Sequence, residues 1–304
     1  MIDWKELSNE MRQALPDLKI LDEEPLARHT SFRIGGPAAI FAQPATVEAL
    51  SEFLKFLAAR GISPRILGAG TNVLAPDEGL REVVICTKDA LTGLRDLGDG
   101  KIEAFAGETL SKTAVFARNL SLTGLEFAHG IPGTVGGGIY MNAGAYGGEI
   151  KDVLTAVTFL DENLHLQTLP VQELQLGYRT SIFERCSWCI LEAEFTLHPG
   201  DAQEIHTAMQ EYMRRRKEKQ PLEYPSAGST FKRPVGQFAG KLIEDCGLRG
   251  FRVGGAAISE KHCGFVVNLG NATCADVVSL TEQVRQIVLE KTGCTLEREI
   301  RVVE

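Results

Sequence analysis

Eight glycines fall within nineteen positions of this chain: Gly130, Gly133, Gly136, Gly137, Gly138, Gly144, Gly147 and Gly148. No other feature limits the fold so strongly. Glycine loses more backbone freedom on ordering than any other residue, so a dense run is kept where the backbone must approach something closely. Two uses fit: a loop lying against a flat or charged ligand, or tight bends between packed strands. The run itself leaves both open.

A second glycine loop, Gly68-Ala-Gly-Thr-Asn-Val-Leu74, follows a short predicted strand at 65–67. It has the first two glycines of G-x-G-x-x-G, but Val73 stands in the third place and no helix pattern follows, so a Rossmann fingerprint is not supported. A strand ending in G-x-G with Thr and Asn can still turn consecutive amide N–H groups toward a pyrophosphate.

The rest of the chain is ordinary for a globular protein: 304 residues, 44% hydrophobic and 24% charged. A formal charge of −8 supplies no broad basic field for nucleic acid or anionic membrane, so an anionic small molecule needs a local basic pocket. No apolar run approaches the roughly 20 residues of a membrane span, and Met1 to Glu10 lacks a signal-peptide core, which predicts a cytoplasmic protein. Seven scattered cysteines suit reduced thiols. Cys186 and Cys189 have C-x-x-C spacing, but Cys189, Leu191, Ala193, Phe195 and Leu197 alternate as the inward face of a strand, so the pair reads as structural and no metal is expected.

Periodicity predicts a helix from about Thr46 with Leu50, Phe53, Leu54 and Leu57 on one face, stopped by Gly61. A buried strand is expected at 83–86, a strand at 101–106, a helix at about 110–122, and strands near 153–160 and 189–197. Asp201 and Glu204 occupy capping positions before the stripe Ile205, Ala208, Met209, Tyr212 and Met213. Helices at about 237–246 and from Thr273 to Gly293, the second with Thr273 and Asp276 as a capping pair, follow, then a strand at 296–303. No repeat or long linker divides the chain.

Motifs in a fixed order resemble the UDP-N-acetylenolpyruvoylglucosamine reductase family over nearly the whole length. They are His29-Thr-Ser-Phe-Arg-Ile-Gly-Gly36, the 68–74 loop, Gly124-Leu-Glu-Phe-Ala-His-Gly-Ile-Pro-Gly-Thr-Val-Gly-Gly-Gly138, Tyr178-Arg-Thr-Ser181, Tyr224-Pro-Ser-Ala-Gly-Ser-Thr-Phe-Lys-Arg-Pro234 and Ser259-Glu-Lys-His-Cys-Gly-Phe-Val-Val-Asn268. The resemblance implies an α+β chain: an FAD-binding fold of the vanillyl-alcohol-oxidase type in two subdomains, plus a C-terminal α+β domain that closes over the substrate. The expected division is 1–87 and 88–200 for the FAD-binding subdomains and 201–304 for the substrate-binding domain, whose C-terminal strand returns to the active site. Only about twenty residues separate Arg179 from Asp201, so the chain resembles the shorter type without an inserted tyrosine loop.

The resemblance further implies noncovalent FAD, NADPH as electron donor, and reduction of UDP-N-acetylglucosamine enolpyruvate to UDP-N-acetylmuramate for peptidoglycan synthesis. Cofactor binding carries over to Gly68, Ala69, Gly70, Thr71, Asn72, Val73 and Leu74, to Gly130, Ile131, Pro132, Gly133, Thr134, Gly136, Gly137 and Gly138, and to Asn142 and Gly144. Reducing an enolpyruvyl ether takes hydride at one vinyl carbon and a proton at the other, with negative charge building toward the carboxylate in between. Arg179, always charged and able to fork two donors, suits the carboxylate. Ser229 fits the family's proton donor and Glu299 its C-terminal glutamate; Glu297, on the same face by alternation, competes with Glu299. Tyr178, Lys219, Arg233, Lys241 and His262 are the substrate-binding candidates, although the longer type has asparagine at the place of Arg233. Other readings of the same loops are an FAD-dependent oxidase of this fold and a noncatalytic flavin- or nucleotide-binding module.

Overall fold

The computed structural model describes residues 2–303. The chain forms two compact units: residues 2–22, 40–69 and 82–215 make the first, and 23–39, 70–81 and 216–303 the second. The reason for this division lies in packing: Phe32, Ile34 and Leu74, from two early segments, are buried in the same core as Ile243, Val266, Val277, Leu280 and Val284.

In the first unit an antiparallel five-stranded sheet runs in the order Leu166–Pro170, Leu154–Leu160, Cys189–Thr196, Lys101–Phe105, Leu94–Gly98. Ala193 lies opposite both Ala104 and Val157, and all three are buried. Alternation along 189–197 therefore does what the sequence predicts, and Cys189 is a core residue whose thiol burial pushes up to about 12. Such a group is no reactive thiolate. Among the described residues no cluster of His, Cys, Asp or Glu is arranged to hold a metal.

The helix Leu110–Asn119 starts where Thr109 Oγ1 accepts the Lys112 N–H at 3.2 Å, and it buries Leu110, Thr113, Ala114 and Ala117 at helical spacing. It stops short of the expected residue 122, because Ser121 takes a left-handed φ of 57° and Leu122–Thr123 is extended. The helix Val47–Ala58, capped by Thr46, buries Leu50, Phe53, Leu54 and Leu57. Several elements escape the periodicity reading, two of them near the N-terminus. The helix Trp4–Ala14 is capped by Asp3, and the strand Pro37–Gln43 has five consecutive buried residues, so it shows no alternation.

The second unit holds the antiparallel strands Arg252–Val253, Ala256–Ile258 and Val266–Asn268, with the helices Ala239–Asp245 and Cys274–Thr292. Thr273 and Asp276 form the expected capping box, and Gly293 closes the helix at φ 72°. The C-terminal strand is shorter than predicted. Only Arg301–Val302 pairs, parallel to Val73–Leu74, because the Glu299 N–H turns to the Thr230 carbonyl and Arg298 bridges to Phe231. The helix Ala202–Lys219 opens with Asp201 Oδ1 accepting from Gln203 and Glu204 at 2.9 Å each. Among the described residues no helix is long and apolar enough to cross a membrane.

Candidate functional site

Both glycine loops contribute to the first unit, where they touch. A Cβ placed on Gly68 would lie 2.5 Å from Thr134 Oγ1, so only glycine allows this approach. Thr134 is buried, and its hydroxyl accepts the Gly137 N–H at 3.3 Å. That bond opens the helix Val135–Tyr140, an element inside the run that the sequence reading left as loop. The helix presses on its neighbours: a Cβ on Gly138 would meet Leu110 Cδ1 at 3.1 Å. Several glycines of the run thus serve packing.

The loop is pinned by Val135 N–H to Glu108 O at 2.8 Å, Gly136 N–H to Ala106 O at 2.9 Å and Leu110 N–H to Gly133 O at 3.0 Å. The amides of Gly68, Ala69, Gly133 and Thr134 donate no hydrogen bond among the described residues. Two facing turns with unspent N–H donors and no Cβ on Gly68 form a cradle for an anionic group.

The remainder of the first loop, Gly70 to Leu74, belongs to the second unit. Asn72 Nδ2 donates to the Glu299 carbonyl at 3.0 Å, and Asn72 O accepts the Arg301 N–H at 2.9 Å. The Glu299 N–H donates to Thr230 O at 2.8 Å, the Thr230 N–H to Gly264 O at 2.8 Å, and Ser229 bridges to Phe265. Ser229 and Glu299, seventy positions apart, therefore lie on adjoining segments, with the 70–74 loop against the same C-terminal stretch. Thr230 joins them. It is buried, and its hydroxyl accepts the Val266 N–H at 2.9 Å. The sequence reading took no note of it, since a Thr beside a turn Ser carries no signal of its own. Glu297 is exposed and ion-paired to Lys232, whereas Glu299 is half-buried, an environment that distinguishes Glu299 from its competitor.

Arg179 stands in the first unit, in a turn where Gly177 and Thr180 bridge. Its guanidinium donates to the carbonyls of Asn142 at 3.4 Å and Gly144 at 3.1 Å, and lies 5.1 Å from the ring of exposed Tyr178. Asn142 is fully buried, with its side-chain amide engaged by Gly177, Glu149 and Lys151.

The basic candidates are spread over the second unit. Lys219 ends its helix, exposed; Arg233 lies over the Phe238 ring at 4.6 Å; Lys241 pairs with Asp245 one turn on. His262 accepts the Gly264 N–H on Nδ1 at 3.1 Å, beside Gly240. Burial lowers its pKa first, and the charges of Arg249 and Lys219 lower it further. A partly buried histidine of lowered pKa stabilises the fold above its unfolded value near 6.5 and loses that contribution as pH falls through the lower folded value. His262→Asn, which keeps an acceptor, is expected to lose less stability than the parent between pH 7 and pH 5 in denaturant titrations. An equal loss in both would show that His262 does not carry that pH dependence.

Comparisons with known proteins identify the family. A model for an FAD binding domain matches residues 38–169, and the UDP-N-acetylenolpyruvoylglucosamine reductase C-terminal domain matches 220–303. The chain is 49% identical over 299 residues to the UDP-N-acetylenolpyruvoylglucosamine reductase of Caldanaerobacter subterraneus subsp. tengcongensis, covering 98% of each. It is 46% identical over 284 residues to that of Geobacillus kaustophilus, covering 93% of each. The crystal structure of the enzyme of this name from Thermus caldophilus superposes with a TM-score of 0.77 at 34% identity, over 94% of this chain and 99% of that one. With two domain models in the expected order and near-complete alignment to these relatives, the chain belongs to the UDP-N-acetylenolpyruvoylglucosamine reductase family.

Proposed function

We propose that this chain reduces UDP-N-acetylglucosamine enolpyruvate to UDP-N-acetylmuramate, with NADPH as donor and FAD as noncovalent cofactor, for peptidoglycan precursor synthesis in the cytoplasm. Family membership supports the reaction. Seven free thiols suit a reducing compartment. We further propose that residues 1–87 and 88–200 supply the two FAD-binding parts and 201–304 the substrate-binding part, although the compact units interleave.

The single observation carrying the residue roles is the backbone tie of Glu299 to Thr230, which brings the C-terminal glutamate to the segment bearing Ser229. The cradle of Gly68, Ala69, Gly133 and Thr134 suits a diphosphate, since its amides donate to no other described residue and only a residue without a Cβ at 68 lets the two turns meet at Thr134. FAD, when bound, supplies the hydride that NADPH provides. Arg179 binds the substrate carboxylate through its forked donors and offsets the negative charge that grows there. The Ser229 hydroxyl gives its proton to the substrate carbon next to that carboxylate. Glu299 orients the substrate beside Ser229. Lys219, Arg233 and His262 supply the polar groups for the UDP moiety; Lys241 is the weakest of these, because Asp245 already neutralises it.

The test is an anaerobic absorption titration. Purified protein is expected to show yellow flavin bands that bleach with NADPH and return with the enolpyruvyl compound. A protein that stays colourless and fails to take up added FAD would overturn the cofactor assignment. Return of the bands with O₂ but not with the enolpyruvyl compound would point to an oxidase instead.

A further inference from the structure

Arg179 takes a left-handed φ of 57°. A side chain in that region costs energy and persists only when its surroundings fix it. Among the groups that hold this turn is Asn142, itself at φ 40°. Its Nδ2 donates to the Gly177 carbonyl at 2.9 Å and to Glu149 Oε2 at 2.7 Å, while its Oδ1 accepts the Lys151 N–H at 3.0 Å. The Gly177 bond holds the turn that bears Arg179, and the Asn142 and Gly144 carbonyls receive the guanidinium.

A carboxamide can sit in either of two orientations, and the Gly177 carbonyl, the Lys151 N–H and the Glu149 carboxylate all select the same one, Glu149 with the shortest, charge-assisted bond. A carboxylate only accepts, so it draws the NH₂ end and leaves the oxygen for Lys151. Glu149 is placed for this by the hairpin Gly144–Ala145 and Gly148–Glu149, in which Glu149 lies opposite Gly144. The hairpin turns through Tyr146 and Gly147, both at positive φ. Gly144 carries no Cβ, and one there would lie 2.9 Å from Glu149 Cγ. The sequence around 144–149 thus encodes the seat of one carboxylate.

We infer that Glu149 is a positioning residue for Arg179: by anchoring the Asn142 amide with a charge-assisted bond it steadies the 177–180 turn and so the direction of the guanidinium. This rests on the reading that Arg179 binds the substrate carboxylate. The experiment measures both flavin half-reactions by rapid mixing in FAD-loaded enzyme, for the parent, Glu149→Ala, Glu149→Gln, Arg179→Ala and the double variant Glu149→Ala/Arg179→Ala. Glu149→Ala is expected to leave reduction by NADPH within about twofold and to slow reoxidation by the enolpyruvyl substrate about tenfold, as misplacement of a binding group does. Glu149→Gln, which keeps an accepting oxygen, stays within about threefold of the parent. In the Arg179→Ala background Glu149→Ala adds less than about twofold, since the two residues act as one unit.

Unchanged reoxidation in Glu149→Ala, equal slowing of both half-reactions, or effects that multiply in the double variant would each overturn the inference. Should Arg179→Ala alone reoxidise at the parent rate, the reading of Arg179 fails and the inference falls with it. The single variant tells that case from the others.

Discussion

Ser229→Ala is expected to leave flavin reduction by NADPH within about twofold of the parent and to slow reoxidation by the enolpyruvyl substrate by about 10²–10⁴, the usual contribution of a positioned proton donor. The split follows from what the hydroxyl does. NADPH hands over hydride without needing a proton from this chain, whereas the substrate takes hydride at one carbon and must gain a proton at its neighbour. The alanine leaves the backbone bridge to Phe265 intact, and the bonds that seat Ser229 are made by Thr230, so the fold loses little. Rapid mixing of each half-reaction decides it. Unchanged reoxidation sinks the assignment of Ser229; slowing of both halves alike would show that the substitution disturbed the flavin site. Isotope content separates a further case: if product formed slowly in D₂O carries deuterium with scrambled stereochemistry at the protonated carbon, solvent has replaced the hydroxyl as donor.

How far the sequence spoke for itself depended on whether each feature is local. Caps and periodic faces are local, and Thr46, Asp201 and the Thr273–Asp276 pair stand where the pattern placed them. The strand Pro37–Gln43 escaped because burial on both faces removes the alternation that marks a strand. The candidate site was legible as motifs but not as bonds. Nothing in the 224–234 stretch announces that Thr230 receives the Glu299 amide, because that partner lies about seventy residues away. Similarly, Glu149 reads as a surface carboxylate until the hairpin sets it opposite Gly144 and beside Asn142. The glycine-rich run points toward a ligand, and part of it answers to packing instead: the helix Val135–Tyr140 lies so close to Leu110 that a Cβ at 138 would meet its Cδ1 at 3.1 Å. Composition marks a close approach without saying what is approached.

Gly70→Ala carries the same lesson into a measurable stability. Gly70 has φ 59°, a region that costs an L-residue about 1–2 kcal/mol. It also lies against backbone: a Cβ there would stand 2.1 Å from the His29 carbonyl oxygen and 3.0 Å from Thr30 Cα, while Gly70 O accepts the Ser31 N–H at 3.1 Å. Relief by rotating a side chain is unavailable, since the obstacle is main chain, so the 29–31 segment or the 70–74 loop must move. Strain and overpacking together are expected to cost about 3 kcal/mol or more. For a chain of this size that is a fall in Tm of roughly 6–12 °C. Gly61→Ala is the control: its φ is 66°, but a Cβ there meets nothing within 4 Å, so it carries the left-handed penalty alone. Because Asn72 in the same loop holds the Glu299 carbonyl, Gly70→Ala should also weaken retention of FAD on gel filtration and slow reoxidation by substrate, while Gly61→Ala does neither. Equal behaviour of the two variants would mean that the approach of Gly70 to His29 does not constrain the loop, and the sharp turn of the G-x-G segment would then need another cause.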